Sequence, residues 1–146
     1  MNIVLGLGTN MGEREENLRQ ACLLLSQRLG KITAQSAIIE TKPMGFDADT
    51  DFLNAAIVIR TDKTPLEALA ICLDVEQALG RIRTKPHYES RTIDIDILFC
   101  DDLIINTPQL CLPHPRIAER SFVLIPLKQI IPDFIHPVLQ IPIKDL

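Results

Sequence analysis

Gly80-Arg-Ile-Arg-Thr-Lys-Pro-His-Tyr-Glu-Ser-Arg-Thr-Ile-Asp-Ile-Asp-Ile-Leu-Phe99 gathers three arginines and two aspartates around one short segment of β character. Over 92–99, Ile93, Ile95 and Ile97 alternate with Thr92, Asp94 and Asp96, the pattern of a strand buried on one face. Asp94 and Asp96 therefore share the other face, about 7 Å apart at Cα. That spacing suits divalent ions held about 4 Å from each other. Hard oxygen donors from one or two carboxylates, completed by substrate phosphates, are the usual surroundings of magnesium. A bare Asp-x-Asp is more simply read as a solvated sheet face. The flank changes the weighing, because Arg81, Arg83 and Arg91 crowd the same segment and guanidinium forks match phosphate oxygens. The combination points to a polyphosphate, with plain surface ion pairs as the competing reading.

Working outward, 2–9 reads as a first strand. Its Gly6-Leu-Gly8 is not a dinucleotide fingerprint, since the third glycine would fall at Met11, and no Gly-Lys-Ser/Thr loop follows. The glycines are read instead as points of close backbone approach to a neighbour or ligand. From Glu15, the residues Leu18, Ala21, Cys22, Leu25 and Leu29 repeat at helical spacing, with Gly30 as the stop. Segment 32–40 predicts a second strand, 41–51 a loop rich in turn residues, and 52–60 a third strand. In that third strand Phe52, Asn54, Ala56 and Val58 share one face. Thr64-Pro-Leu-Glu67 is a helix start with a capping box, running to Leu79 with Gly80 ending it. Leu66, Leu69 and Leu73 mark its expected apolar face, and Glu76 falls on the same stripe. Residues 84–90 show no periodicity and are expected to form a mobile loop. After a turn at 100–102, 103–105 is expected to be a short strand. If Pro115 starts a short helix, Arg116 and Arg120 share one of its faces. The order strand, helix, strand, strand, helix, strand is that of an α+β, ferredoxin-like βαββαβ core: an antiparallel sheet with helices packed against it and C-terminal additions.

The chain's 146 residues, 47% of them hydrophobic, suit a single domain over 1–146. A net charge of -4 argues against a nucleic-acid partner while permitting a local arginine cluster. Cys22, Cys72, Cys100 and Cys111 are scattered without metal-binding spacing and read as small apolar residues in a reducing compartment. There is no leader pattern and no run of eighteen apolar residues, so the expectation is a cytoplasmic protein with no membrane partner.

Arg91-Thr-Ile-Asp94-Ile-Asp96-Ile-Leu, preceded by Leu79-Gly-Arg81-Ile-Arg83, resembles the motif of the 6-hydroxymethyl-7,8-dihydropterin pyrophosphokinases of folate biosynthesis. Leu5-Gly-Leu-Gly-Thr-Asn10, Glu40-Thr41-Lys-Pro-Met44-Gly45, Asp51-Phe52-Leu-Asn54, Leu112-Pro-His114-Pro-Arg116 and Glu119-Arg120-Ser-Phe122 extend the resemblance, in order, over nearly the whole chain. It implies transfer of pyrophosphate from ATP to a pterin alcohol with release of AMP. It implies two magnesium ions on Asp94 and Asp96, and Arg81 and Arg91 as catalytic cations. ATP would contact Glu76, Arg83, Tyr88, His114 and Arg120, and the pterin would contact Thr41, Met44, Phe52, Asn54 and Phe122. An amide that donates and accepts at once, as Asn54 can, suits a pterin ring edge. The chain departs from many members in carrying Tyr88-Glu-Ser90 where they have Trp-Gly-Pro, which keeps an aromatic residue. A monomer is expected. Two other classes compete: a catalytically silent ligand-binding module on the same fold, and another magnesium-dependent nucleotidyl or phosphoryl transferase.

Overall fold

The computed structural model describes residues 1–10, 13–41, 52–80, 82–85, 88–90 and 93–146, with the backbone alone for 82–85 and 88–90. Strand β1 (Asn2–Thr9) leads to helix α1 (Arg14–Arg28), strands β2 (Lys31–Gln35), β3 (Ile39–Thr41) and β4 (Phe52–Arg60), and helix α2 (Pro65–Ala78). Next come β5 (Ile82–Lys85), β6 (Tyr88–Ser90) and β7 (Asp94–Cys100). After β7, the short strands β8 (Ile105–Asn106) and β9 (Cys111–Leu112) pair, and a 3-10 turn at Ile117–Glu119 precedes helix α3 (Ser121–Ile130). The main sheet runs β2-β4-β1-β7, with β3 also on β4 and every pairing antiparallel. This is the ferredoxin-like βαββαβ arrangement expected from the element order.

Alternation along the central strands separates two apolar clusters. On one face Ile3, Leu5, Leu7, Ile57, Ile59, Ile95 and Ile97 meet Leu18, Ala21 and Leu25 of α1 and Ala68, Cys72 and Val75 of α2. On the other face Val4, Val58, Leu98 and Phe99 meet Leu124 and Leu127 of α3 together with Ile143 and Phe134 of the tail. That second cover reaches only one end of the sheet. The other end of the same face carries Gly6, Gly8, Asn54 and Ala56 and is left open as a cavity.

Several local expectations are corrected. The second strand divides into β2 and β3, because the Ser36 hydroxyl accepts the Ala56 N–H at 2.9 Å and so substitutes a side chain for a ladder acceptor. The capping box of α2 forms as expected, with Glu67 N–H on Thr64 Oγ1 at 3.2 Å and Thr64 N–H on a Glu67 carboxylate oxygen at 3.0 Å. Its buried residues, however, are Ala68, Cys72, Val75 and Glu76, while Leu66 and Leu73 are 57% and 48% exposed. Two stripes of this helix are apolar, and the one with small side chains lets the helix axis approach the sheet. Gly30 does not act as a left-handed stop. A Cβ there would lie 2.1 Å from the Arg60 carbonyl oxygen, so the position needs the space. Gly80, at φ 104°, is the left-handed residue after α2.

The expected loop over 84–90 contains strands β5 and β6, which pair antiparallel with Ile82 opposite Ser90 and Lys85 opposite Tyr88. The strand expected over 103–105 is only Ile105–Asn106, with Leu103 and Ile104 exposed. Alternation in β7 also breaks once. Ile97 pairs with Leu5 and Phe99 with Val4, leaving Leu98 as an extra residue in a bulge. The bulge turns Phe99 onto the α3 face, away from the isoleucines.

Candidate active site

The register of the sheet lays out the open end of this face in rungs. Gly8 pairs with Asn54 of β4 on one side and Asp94 of β7 on the other; Gly6 pairs with Ala56 and Asp96 in the same way. Each rung thus has a recognition residue or alanine at one end, glycine in the middle and a carboxylate at the other end. Two strand spacings separate Asn54 from Asp94 by about 10 Å at Cα. With no side chain on Gly6 or Gly8, the floor between them is bare backbone. The cavity over this floor is about 370 Å³, within the range of roughly 300–1,000 Å³ usual for small-molecule sites. Its walls come from Thr41 of β3, Phe52 of β4, the bulge residue Leu98, Arg116, and Arg120, Phe122 and Val123 at the start of α3.

Asn54 is buried, and its Nδ2 donates to Thr41 Oγ1 at 2.8 Å, which fixes the amide plane. One N–H and the carbonyl oxygen remain beyond that bond. A Cβ on Gly8 would lie 3.0 Å from that carbonyl oxygen, close enough that the amide would have to shift by a few tenths of an ångström. Phe52 and Phe122 bring aromatic surface from two different elements, both half-buried. The Arg120 guanidinium carbon lies 5.6 Å from the centre of the Phe122 ring, a cation–π distance that sets both groups at the cavity mouth. Asp94 is half-buried and Asp96 exposed, as the alternation of β7 predicts.

His114 stands beside this wall. Its backbone N–H donates to the Leu98 carbonyl at 3.0 Å, and its Nδ1 accepts the Arg116 N–H at 3.2 Å, placing the proton of the neutral ring on Nε2. Burial holds its pKa below the usual histidine value; Arg120 and Arg116 push the same way and Asp96 opposes them. Glu76 does not line the cavity. It is buried on the helix side of β7, where it accepts the Ile95 N–H at 2.8 Å. Burial first, then the charges of Glu76, Cys100 and Asp96, push the Cys72 thiol up to about 12.

Of the residues expected from the sequence, Thr41, Phe52, Asn54, Asp94, Asp96, Arg120 and Phe122 all meet at this one cavity. Arg81, Arg91 and Met44 lie outside the described residues, and Arg83 and Tyr88 are placed by their backbones alone, in β5 and β6. The sequence reading did not assign site roles to Arg116, Leu98 or Val123. The helix expected from Pro115 does not form, since only a 3-10 turn over Ile117–Glu119 lies between Arg116 and an extended Arg120; the two arginines reach the same cavity without sharing a helix face. Leu98 follows Asp94 and Asp96 at the same two-residue spacing, a signal for this face that the sequence reading left unused.

The family model for 7,8-dihydro-6-hydroxymethylpterin-pyrophosphokinase (HPPK) matches residues 4–132. The chain belongs to this family. It is 44% identical over 127 residues to the 2-amino-4-hydroxy-6-hydroxymethyldihydropteridine pyrophosphokinase of Bacillus subtilis, covering 86% of this chain and 75% of that one. To the protein of the same name from Methylorubrum extorquens it is 43% identical over 133 residues, covering 90% and 83%. Among solved structures, a Plasmodium falciparum HPPK-DHPS triple mutant superposes with a TM-score of 0.81 at 21% identity, over 99% of this chain and 43% of that chain. The wild-type protein with pteroate gives 0.80 at 20%, over 99% and 41%. This pyrophosphokinase chain thus spans less than half of those two chains, and the likeness to them is one of fold.

Proposed function

We infer that the cavity is where this chain transfers pyrophosphate from ATP to the hydroxymethyl group of 6-hydroxymethyl-7,8-dihydropterin. The chain is a pyrophosphokinase of folate biosynthesis. The observation that carries the assignment of the site is the rung Asn54–Gly8–Asp94. It offers amide recognition at one end, a flat floor without side chains in the middle, and a carboxylate at the other. A planar bicyclic ring with a one-carbon arm fits that sequence of groups. Asn54 and Thr41 would bind the ring edge, Phe52 and Phe122 would cover the ring faces, and Met44 would complete the pocket. The hydroxymethyl oxygen would then lie toward Asp94 and Asp96.

Asp94 and Asp96 suit magnesium by the chemistry of the donor set. Both are hard oxygen donors on one cavity wall, and among the described residues no cluster of three or more His, Cys, Asp or Glu forms a closed metal site. A pair of carboxylates leaves coordination places for phosphate oxygens and water, the arrangement magnesium favours. Two such ions, when bound, would neutralise the triphosphate and polarise its phosphoryl oxygens. The chain's own residues supply positioning and charge. Arg120 and Arg83, with Tyr88 and His114, are assigned to the nucleotide side, and Glu76, buried on the helix side of β7, is withdrawn from it. Arg116 adds a second cation on that wall. Arg81 and Arg91 are assigned to the charge that builds on the transferred group. The hydroxymethyl oxygen attacks the β-phosphorus and loses its proton to solvent, the bond from that phosphorus to the oxygen bridging to the α-phosphate breaks, and AMP leaves with that oxygen. Positioning and electrostatics carry most of the rate in such transfers.

Residues 1–146 are taken as one domain acting as a monomer in the cytoplasm. Four cysteines without a disulfide among them support a reducing compartment. Among the described residues no helix is long and apolar enough to cross a membrane. The decisive experiment supplies ATP, magnesium and the reduced pterin and separates the nucleotides formed. AMP in proportion to pterin consumed is the expected product. ADP in its place would assign the site to another transferase, and no turnover at all would favour the silent binding module.

A further inference from the structure

We propose that Glu76 is a positioning residue: from the helix side of the sheet its carboxylate holds the main-chain amide between Asp94 and Asp96 and so fixes the separation of the two cavity carboxylates. Three observations combine. Glu76 is 3% exposed in a stripe otherwise made of Ala68, Cys72 and Val75, where an apolar side chain would pack at no desolvation cost. Its Oε2 accepts the N–H of Ile95, the residue between the two aspartates, at 2.8 Å. And among the described residues β7 stands at the end of the strand order, with β1 on one side and no other strand of the main sheet beyond it.

An end strand is free to shift in a way that an inner strand is not, and Asp94 and Asp96 depend on this one for their placing. A charged acceptor makes a short, directional bond to a backbone N–H. Tied at the Ile95 N–H, the Asp94–Ile95 peptide plane is held, and with it the course of the strand that carries the two aspartate side chains into the cavity. Groups that orient metal ligands without touching the metal commonly change affinity about 10–100-fold when removed. The burial of a carboxylate at this helix position has a reason on this account that packing alone does not provide.

The inference rests on the reading of Asp94 and Asp96 as metal ligands, and the test separates the two. Binding of Mn2+ is measured calorimetrically in the presence of a non-hydrolysable ATP analogue, for the wild type, Glu76→Gln and Glu76→Met. Pterin affinity without metal and thermal stability are measured alongside. If Asp94→Ala and Asp96→Ala bind Mn2+ as tightly as the wild type, the metal reading itself fails. Given that both weaken it, Glu76→Gln, whose amide oxygen can still accept the Ile95 N–H, is expected within about threefold of the wild type. Glu76→Met is expected to bind Mn2+ about tenfold or more weakly while keeping its pterin affinity, because Asn54 and Thr41 lie on other strands. Wild-type Mn2+ affinity in Glu76→Met would reduce Glu76 to a packing residue and overturn the proposal. So would an equal loss in Glu76→Gln, which would make the charge and not the hydrogen bond the active property. Should Glu76→Met fail to fold, Glu76→Ala, which is smaller and equally unable to accept the Ile95 N–H, takes its place, with the same tenfold loss expected and wild-type Mn2+ affinity again overturning the proposal.

Discussion

At the residue scale, two glycines that look alike in the sequence do different work. Gly8→Ala would set a Cβ 3.0 Å from Asn54 Oδ1, so the amide must shift by a few tenths of an ångström from the place its bond to Thr41 gives it. The expected result is a pterin Kd raised about 10- to 100-fold, from the ~1–3 kcal/mol that a displaced buried hydrogen bond costs, with ATP affinity and melting temperature nearly unchanged. Equal pterin affinity in the variant, measured by calorimetry, would remove Asn54 from ring recognition. Gly30→Ala would instead meet a backbone carbonyl at 2.1 Å and should destabilise by about 1–3 kcal/mol, with activity per folded molecule retained. The carboxylates make the opposite pair. Asp94→Ala and Asp96→Ala leave both apolar clusters untouched, so stability should stay within about 1 kcal/mol of wild type. Turnover should fall about a hundredfold or more, from the several kcal/mol that metal-ion charge stabilisation supplies. Near-normal activity of either variant at low magnesium would dismiss the site. The sequence made Asp94, Asp96 and Asn54 legible because period-two alternation fixes the face of every strand residue. It could not show that Gly30 opposes Arg60, a contact between residues thirty positions apart.

At the scale of elements, the boundaries that the sequence marks with chemistry were the ones read correctly. The Thr64-Pro65-Glu67 start of α2 and the alternating stretch of β4 both appear where local side chains decide them. Where two patterns compete, tertiary packing chose. Leu66 and Leu73 of α2 face outward while Leu69 packs at the edge of the core beside the smaller Ala68 and Cys72, and the bulge at Leu98 has no local signal because it is set by pairing with β1. The β5–β6 pair has a dynamic consequence. Among the described residues these strands pair only with each other, and a lone two-stranded hairpin is marginally stable in water. Amides of Ile82–Lys85 and Tyr88–Ser90 should therefore exchange with deuterium much faster than those of β7 in the free protein. Adding magnesium, a non-hydrolysable ATP analogue and the pterin should slow them, since Arg83 and Tyr88 on this hairpin are assigned to the nucleotide. Identical exchange with and without the ligands would separate the hairpin from nucleotide binding.

At the scale of the molecule, the site exists because the second cover of the sheet is incomplete: α3 and the tail bury Val4, Val58, Leu98 and Phe99 and stop short of Gly6 and Gly8. The sequence reading saw no role for the tail, because its packing on Phe99 joins residues more than thirty positions apart. Phe134 meets Phe99 edge-on at a ring separation of 4.9 Å, and His136 does so at 5.6 Å. Phe99 ends the segment that begins with the two aspartates, so the tail buttresses the strand that bears them. His136 makes this buttress sensitive to pH. It is buried, and its Nδ1 accepts the N–H groups of Val138 and Leu139 at 3.2 and 3.0 Å, bonds that only the neutral ring can accept. Burial accordingly lowers its pKa from the model-compound value of 6.5. A histidine depressed in the folded state binds its proton more readily when unfolded, so its contribution to stability is present above pH 6.5 and is lost as pH falls through that value toward the folded pKa. His114 is shifted in the same direction and adds to the effect. The melting temperature should therefore fall between pH 7.5 and pH 5. The fall should be smaller in His136→Asn, whose amide oxygen can accept the same bonds without titrating. An imidazole titration followed by NMR should place His136 below 6.5. A His136 pKa at or above 6.5, or an unchanged pH slope in His136→Asn, would show that the tail docks without regard to the charge of this ring.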